Sequence, residues 1–547
     1  MKMTGAEIVL EVIKKQEIDK IFGYPGGAVI PLYDELYKQN DIKHIRTVHE
    51  QAAVHAADAY ARGSGKVGVT LVTSGPGATN TITGIATAYL DSVPLVVITG
   101  QVPQMLMGKD AFQEVDITGI TLSITKYNKI VKNIKELQSV LEKAFKVAAS
   151  GRPGPVLIDI PKDVLVDTYE YKSVIFNKES ENGEEFVDYL SVLEKIKKAK
   201  RPVIYAGGGI NKAKAEDEFL EFVEKLKIPV VNSLMSLGTI SRKNPLSLGM
   251  VGMHGFKIAN QAIFRSDLVI AIGARFSDRV IGKSDKFAPK AEIIQMDIDR
   301  TEMDKNIETK FNIIGDIKLH LAKLNKSIDF EVNENWICEL NEIDKKQICL
   351  DNDFHPKNII EQVAKRIDTD SYVVTDVGQH QMWVAQYYPF SPKGKFITSG
   401  GLGTMGFGTG ATIGTEAIGD KKTVFFTGDG SFRMSAMELI TLKKNNMKPL
   451  IILFNNRALG MVRQWQALFT DGRYAETDTL EDMDYSKFAK YFGIKSAKVD
   501  SLDELKRVLN TFPINDEMVF IECFIGRDIG VYPIVPPGKS ITEGITE

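Results

Sequence analysis

Short runs of aliphatic and β-branched residues, each ending in a glycine- or asparagine-rich loop, alternate with helical stretches along this chain of 547 residues. Residues 68–74 (GVTLVTS) run into Gly75-Pro76-Gly77; a helical stretch from Asn80 to Leu90 follows, then the apolar run 94–99 (PLVVIT). Strand, turn, helix and strand in that order form a βαβ unit, which predicts a parallel sheet covered on both faces. Residues 155–160 (PVLIDI) close this first block ahead of Pro161.

A second block opens with the strand 202–205 and the loop Gly207-Gly208-Gly209, followed by a charged helix through Lys227. Two strands come later, 268–272 (LVIAI) and 292–296 (EIIQM), the second ending in Asp297-Ile298-Asp299. A third block carries the strands Val373-Val374, 423–427 (TVFFT) and 450–454 (LIILF), each leading into a loop of Gly, Asn or Asp. Polar stretches without a sustained period, 168–185 and 327–355, read as linkers between the blocks. Residues 530–547 hold Pro533, Pro536 and Pro537 and no core pattern, so they read as a tail that drapes over something or is disordered. No short internal repeat is visible. The expected architecture is α/β: three doubly wound domains with parallel sheets, spanning 1–167, 190–330 and 356–530, and a tail at 531–547.

Composition changes this picture little. Lys plus Arg number 68 against 71 Asp plus Glu, so the net charge of −3 offers no basic footprint for nucleic acid. The three cysteines, Cys338, Cys349 and Cys523, are odd in number and lack CxxC spacing, which reads as ordinary thiols. No apolar run approaches the roughly 20 residues of a membrane span. The N-terminus goes straight into an amphipathic pattern, so no signal or transit peptide is expected and the cytoplasm is the expected location.

The candidate chemistry is concentrated at two places. Gly428-Asp429-Gly430-Ser431 follows one strand of the third block and Asn455-Asn456 ends the next. Ligand sites in open parallel sheets lie at the carboxyl ends of strands, where both side chains can meet. An Asp carboxylate and an Asn carbonyl oxygen are hard ligands suited to Mg²⁺, and glycines beside Asp429 would admit a diphosphate. The same dipeptides are also common turn formers. The second place is Glu50, just ahead of a helix whose Ala52, Ala53, Ala56, Ala57 and Ala59 allow close packing on another backbone or a partner subunit. Its simplest role is an acidic charge at a helix N-terminus.

Together, GDGS(F)…NN and Glu50 resemble the fingerprint of thiamine-diphosphate enzymes. Gly23-Tyr24-Pro25-Gly26-Gly27-Ala28, Ser74-Gly75-Pro76-Gly77-Ala78-Thr79-Asn80, Gly378-Gln379-His380-Gln381-Met382-Trp383 and Gly460-Met461-Val462-Arg463-Gln464-Trp465 narrow the likeness. They resemble the catalytic subunit of acetolactate (acetohydroxyacid) synthase, in order and over nearly the whole chain. The resemblance implies a pyrimidine-binding first domain, a central FAD-binding domain and a diphosphate-binding third domain. It makes Glu50 the acid that hydrogen-bonds the aminopyrimidine ring, which then removes the cofactor's C2 proton; the cofactor carries the chemistry and the protein places it.

Asp429, Asn456 and the main-chain oxygen of Ala458 match the family's Mg²⁺ ligands. Val377, Gln379, His380, Gly403, Met405, Gly430, Ser431, Gly460 and Met461 match its diphosphate and ring contacts, Met405 propping the cofactor into a bent form. Gly27, Ala28, Phe112 and Gln113 fall where the family lines the reaction chamber. Arg279 and Trp465 look like the pair that binds the second 2-ketoacid. An Arg suits a carboxylate, and an indole face can favour ethyl over methyl by about 1–3 kcal/mol. The lesser alternative for Trp465 is a packing residue on an amphipathic helix.

Arg152, Gly208, His254, Arg275, Asp297 and Asp316 match the contacts of a structural, non-redox FAD. The implied substrates are pyruvate and 2-ketobutyrate. The implied assembly is a homodimer or tetramer with active sites between subunits, with room for a small regulatory subunit and with residues 531–547 as a candidate lid.

The chain departs from the family pattern at Ser277, where a second Asp is frequent, at Thr409-Gly410, where Leu-Pro is frequent, and at Arg457-Ala458. Rival readings share the fold: a pyruvate oxidase that uses its flavin for electrons, an FAD-independent catabolic acetolactate synthase, or a glyoxylate carboligase, which lacks the acid supplied here by Glu50. A cofactor-binding regulatory relic without turnover is the non-enzymatic alternative.

Overall fold

The apolar runs become strands buried along their whole length, as the two-faced burial of a parallel sheet demands. Every residue of Gly68–Val72, Leu95–Gln101, Pro155–Pro161 and Leu268–Ile272 is buried. The computed structural model describes residues 1–171, 187–332, 335–343, 354–479 and 483–546.

Three six-stranded sheets result, every pairing within them parallel. In the first, the spatial order is Lys43–Arg46, Lys20–Tyr24, Gly68–Val72, Leu95–Gln101, Pro155–Pro161, Tyr127–Ile130. Numbered along the block, that is 2-1-3-4-6-5. The third sheet repeats it: Lys395–Ile397, Tyr372–Thr375, Thr423–Gly428, Leu450–Asn455, Val519–Phe524, Lys495–Val499. The middle sheet runs Ser247–Met250, Val230–Asn232, Pro202–Ala206, Leu268–Ile272, Glu292–Asp297, Phe311–Ile314, the 3-2-1-4-5-6 order of dinucleotide-binding folds.

The alanine-rich helix Glu50–Ser64 packs on a helix of its own chain, Phe407–Ile418 of the third block. Small residues on both sides let the backbones touch: a Cβ on Gly410 would stand 2.8 Å from the Ala52 carbonyl oxygen, and one on Gly414 would collide with that of Ala56. Gly410, one of the departures from the family pattern, is thus part of this contact. At the junction of all three blocks, Arg62 pairs with Asp58 (2.7 Å) and Asp91 (3.0 Å), and Asp91 accepts from the Gly401 amide at 2.7 Å. Lys212 of the middle block donates to the Asp91 carbonyl.

Three sequence expectations change. The stretch 168–185 does not begin as a linker, because Thr168–Glu170 pairs antiparallel with Lys2–Thr4; residues 172–185 lie outside the described residues. The stretch 327–355 contains the helix Asn335–Asn341, whose Trp336 and Leu340, one turn apart, are buried against the middle block while its polar residues hide the period. The tail has a core pattern after all: Val531, Ile534, Val535 and Ile541 are buried. Prolines break its spacing, so no helical or strand period marks it.

That tail crosses to the middle block. The Val535 amide donates to the Met253 carbonyl (2.9 Å), the Lys283 amide to the Lys539 carbonyl (3.0 Å), and Asn260 Nδ2 to the Ile541 carbonyl (2.9 Å). Cys523 is buried and Cys338 exposed, while Cys349 lies outside the described residues. Among the described residues no helix is long and apolar enough to cross a membrane.

Candidate active site

In an open parallel sheet the crevice opens where the strand order reverses, beyond the carboxyl ends of the two strands flanking the switch. In the third block those strands are Tyr372–Thr375 and Thr423–Gly428. The first runs through the turn 376–378 into the helix Gln379–Tyr387, and the second passes at Gly428 straight into the helix Asp429–Arg433, where the Gly428-Asp429-Gly430 motif stands.

Asp429 opens the helix Asp429–Arg433 and is 2% exposed. Burial pushes its carboxyl up to about 6, against the pull of the Thr479 hydroxyl, which donates to Oδ2 at 2.7 Å, and of Arg433. Asn456 is buried beside it at the end of Leu450–Asn455, with Oδ1 accepting the Ala458 amide (3.2 Å) and Nδ2 donating to Gln379 Oε1 (3.1 Å). Arg457 between them holds a left-handed φ of 57°, which turns the Ala458 peptide, and an antiparallel bridge ties Ala458 to Asp478.

The floor of this pocket is densely bonded. Ser431 Oγ donates to the Val377 carbonyl, and Asp376 Oδ1 accepts the Val377 (3.0 Å) and Gly406 (2.8 Å) amides. Asp376 Oδ2 and His380 Nε2 are buried without a hydrogen-bond partner. Burial pushes Asp376 up to about 7 and His380 down to about 3. A side chain on Gly460 would run into Gln379 and Asn456; one on Gly430 would meet Leu459 at 2.8 Å, with Met405 at 3.6 Å. A desolvated carboxylate beside an amide oxygen, unpaired buried polar atoms and glycine-lined walls fit a hard divalent cation with a diphosphate. Among the described residues no cluster of three or more His, Cys, Asp or Glu could hold a metal, so such an ion would also need amide, main-chain or diphosphate oxygens.

In the first block the switch lies between Lys20–Tyr24 and Gly68–Val72. Gly27 and Ala28 follow one strand, Gly75 and Gly77 the other. The Ala28 amide donates to Thr73 Oγ1 at 3.4 Å. Glu50 is half-buried at the first position of its helix, and its Oε2 accepts from Asn80 Nδ2 at 2.9 Å. Gln113 carries a φ of 62° and leans on Gly75, whose Cβ would meet the Gln113 Cα at 2.9 Å. Phe112 beside it is 87% exposed.

The middle block's switch lies between Pro202–Ala206 and Leu268–Ile272, so Gly207-Gly208-Gly209 faces Gly273-Ala274-Arg275. A cleft of about 2730 Å³ begins here, several times the roughly 300–1,000 Å³ of a single small-ligand site. All six residues expected at a flavin, Arg152, Gly208, His254, Arg275, Asp297 and Asp316, line it, as do Val377, Gly403, Met405, Met461, Arg279 and Trp465. Arg152 also bridges blocks, reaching Glu302 at 2.8 Å and Asp299 at 3.3 Å. Arg275 donates to the Leu90 carbonyl, and Asp316 caps Ile317–Ser327. Burial pushes Asp297 up to about 6 and His254 down to about 4. Ser277 is exposed, also lines the cleft, and stands at the N-cap position of the short helix Asp278–Ile281 without a side-chain cap hydrogen bond. At the cleft's mouth the Arg279 guanidinium lies 5.9 Å from the centroid of the Trp465 ring.

The geometry therefore gathers the expected residues into two groups. Arg152 and the expected flavin residues of the second block share one cleft with Val377, Gly403, Met405, Met461 and Trp465 of the third; Asp429, Asn456 and their neighbours do not line it but adjoin it where Ser431 meets Val377 and Gly430 approaches Met405. Glu50, Gly27 and Gln113 do not line that cleft. Sequence reading missed Thr479 on Asp429, Asn80 on Glu50, and Glu438, which accepts the amides of Val48 and His49. Asn80 stood within a noted motif, as did Gln464; Thr479 and Glu438 come from distant positions with no spacing to mark them. It also missed Gln464, which joins Gln379 to the Val531 backbone and so ties the tail to the site.

Three family profiles match in order: the N-terminal TPP binding domain of thiamine pyrophosphate enzymes over residues 3–120, the central domain over 190–324, and the C-terminal TPP binding domain over 376–523. The acetolactate synthase large subunit of Lactococcus lactis subsp. lactis is 42% identical, covering 99% of this chain and 96% of its own length. Acetolactate synthase isozyme 2 large subunit of Escherichia coli (strain K12) is 41% identical over 99% of each chain, and a probable acetolactate synthase large subunit of Methanococcus aeolicus is 41% identical over 99% and 95%. With full-length identity at this level and three switch-point sheets in the matching order, the chain belongs to the acetolactate synthase large-subunit family of thiamine pyrophosphate enzymes.

Proposed function

We propose that this enzyme decarboxylates pyruvate and joins the remaining two carbons to a second 2-ketoacid. Pyruvate as acceptor gives 2-acetolactate and 2-ketobutyrate gives 2-aceto-2-hydroxybutyrate, the first common step toward valine, leucine and isoleucine. Carbon dioxide is the only other product, so no electrons are gained or lost. The observation that carries the reading is the meeting of Arg279, from the middle block, with Trp465, from the third, at the mouth of the cleft. A guanidinium there can hold the acceptor's carboxylate while the indole face selects its alkyl group.

Thiamine diphosphate, when bound, supplies an acidic carbon that attacks a ketone and holds the electron pair left by decarboxylation. Asp429, Asn456 and the Ala458 carbonyl would hold Mg²⁺, and Val377, Gln379, His380, Gly403, Gly430, Ser431, Gly460 and Met461 the diphosphate and ring, with Met405 as the prop. Glu50, oriented by Asn80, would share a proton with the aminopyrimidine ring. Gly27 and Gln113 would wall the chamber against water. Arg152, Gly208, His254, Arg275, Asp297 and Asp316 would hold FAD, which plays a structural part because the reaction has no use for its electrons.

The active site is shared between two copies of the chain. In support, Glu50 and Gln113 stand apart from the cleft of Trp465. Exposed apolar residues also border both halves: Tyr24, Ile30, Met105 and Phe112 around the first, Met434, Met437 and Ile440 after Asp429. A homodimer is the minimum, a tetramer and a small regulatory subunit its extensions, and the cytoplasm its location. Acetolactate formation from pyruvate, assayed with and without each of thiamine diphosphate, Mg²⁺ and FAD, tests the reading. Reduction of the flavin by pyruvate without air, or no acetolactate with all three present, would overturn it.

A further inference from the structure

Glu438 is 2% exposed and sits in the turn Ala436–Glu438, directly after the helix that Asp429 opens. Its Oε1 accepts the amides of Val48 and His49, both at 2.9 Å; its Oε2 accepts Val48 again (3.1 Å) and the Thr441 hydroxyl (2.7 Å). These two amides lie immediately ahead of the helix that begins at Glu50, and His49 itself caps that helix by accepting the Gln51 amide at 3.1 Å. Glu50 is thus held twice: at its carboxylate by Asn80, and through its backbone by a carboxylate 390 positions along the chain.

A buried carboxylate is a costly way to join two domains, and here it is not needed for adhesion. The helices Glu50–Ser64 and Phe407–Ile418 already join the same two blocks by backbone-close apolar packing. What a bidentate acceptor on two successive amides adds is placement, since it fixes the position and direction of the chain just before Glu50. We propose that Glu438 is a positioning residue for Glu50, and that it ties the Asp429 helix of one active site to the Glu50 helix of the other within a single chain. This rests on the shared-site reading above.

The test compares Glu438→Ala, Glu438→Gln and Thr441→Val with the wild type and with Glu50→Gln, all as full-length protein. One readout needs no cofactor: hydrogen exchange of the amides in the peptide holding Val48 and His49. The other is the rate at which the C2 proton of bound thiamine diphosphate exchanges for deuterium at saturating cofactor, alongside cofactor Kd and Tm. Glu438→Ala should speed amide exchange and slow C2 exchange by about 10-fold or more while Kd moves less than about 3-fold; Glu438→Gln, which keeps one acceptor oxygen, should stay within about 3-fold of wild type. If Glu438→Ala does not fold, Thr441→Val, which removes the hydroxyl bond to Oε2 and leaves the amide bonds in place, should slow C2 exchange by about 2- to 5-fold at unchanged Kd.

Wild-type C2 exchange in Glu438→Ala, or in Thr441→Val where Glu438→Ala does not fold, with Glu50→Gln inactive in exchange, overturns the positioning role alone. Undiminished exchange in Glu50→Gln overturns the functional reading beneath it.

Discussion

The first and third blocks are built on one plan and furnished differently. Both sheets run 2-1-3-4-6-5, and in both a glycine-bearing turn follows the first and third strands, while Glu50 stands after the second strand of its block and Asn456 after the fourth strand of its own. Yet the third block surrounds these segments with hydrogen bonds through Asp376, Gln379, Asn456 and Thr479. The first leaves Gly27 and Phe112 exposed and holds the Glu50 carboxylate by a single amide side chain. A diphosphate and a metal need many fixed donors and oxygens, whereas activating a ring needs one placed acid and an apolar wall. The same crevice serves both because the fold supplies only the location.

The largest effects should separate the two blocks by kind of loss. Glu50→Gln should lower the acetolactate rate by about 10²–10⁴-fold while thiamine diphosphate still binds, since a proton-sharing group is removed and little binding surface with it. Asp429→Ala should instead abolish saturable Mg²⁺-dependent cofactor binding, read by calorimetry. Equal loss of binding in both variants would erase the distinction between the halves.

Next comes the seam that joins them. Gly414→Ala places a methyl against the Ala56 carbonyl, which is backbone and cannot swing away. The expected cost is about 1–3 kcal/mol, as for overpacked cores. Denaturant unfolding at an unchanged m-value measures it, and a variant as stable as wild type would mean that the helix pair has slack.

Selectivity should move less. Trp465→Leu should weaken the preference for 2-ketobutyrate over pyruvate by about 10-fold, within the range one methylene in an apolar pocket can supply. Competition assays that report both products give the ratio directly; an unchanged ratio would make Trp465 a packing residue of its helix Gly460–Phe469.

How much of this was readable in the sequence follows from what each feature needs. Central strands such as Leu450–Asn455 announce themselves because both faces are buried. The strands Lys43–Arg46, Tyr127–Ile130 and Lys395–Ile397 do not: they stand at sheet edges, are three or four residues long, and are at least half polar or only partly buried. Switch-point motifs were legible since a tight turn beside a ligand restricts residue type over several consecutive positions. The shared plan of the first and third blocks left no repeat, because a parallel sheet asks only for apolar runs and not for particular residues. Glu438 and Thr479 were invisible for a different reason: each acts on a residue brought to it only by the tertiary fold.

The smallest expected effect also sits on the seam. His55 is fully buried in the helix Glu50–Ser64, its ring edge-on to Phe407 at 5.1 Å, and neither ring nitrogen has a hydrogen-bond partner. Burial, with Arg62 and His49 adding repulsion, pushes its pKa down to about 3. The unfolded chain therefore binds a proton near pH 6.5 that the folded one refuses, so stability present above that pH is lost as pH falls toward 3. His44 and His254 act in the same direction, whereas Asp58, Asp159 and Asp376, pushed up by burial, lose stability as pH rises. Only a difference isolates one ring. Between pH 6.5 and 5.5 the wild type should lose about 1 kcal/mol more than His55→Leu, with His55 uncharged throughout in the folded state. Parallel urea titrations at the two pH values measure this gap. Equal losses in both proteins would mean that the ring takes up its proton without opening the seam, and that the first and third blocks are joined less tightly there than their glycine and alanine contacts imply.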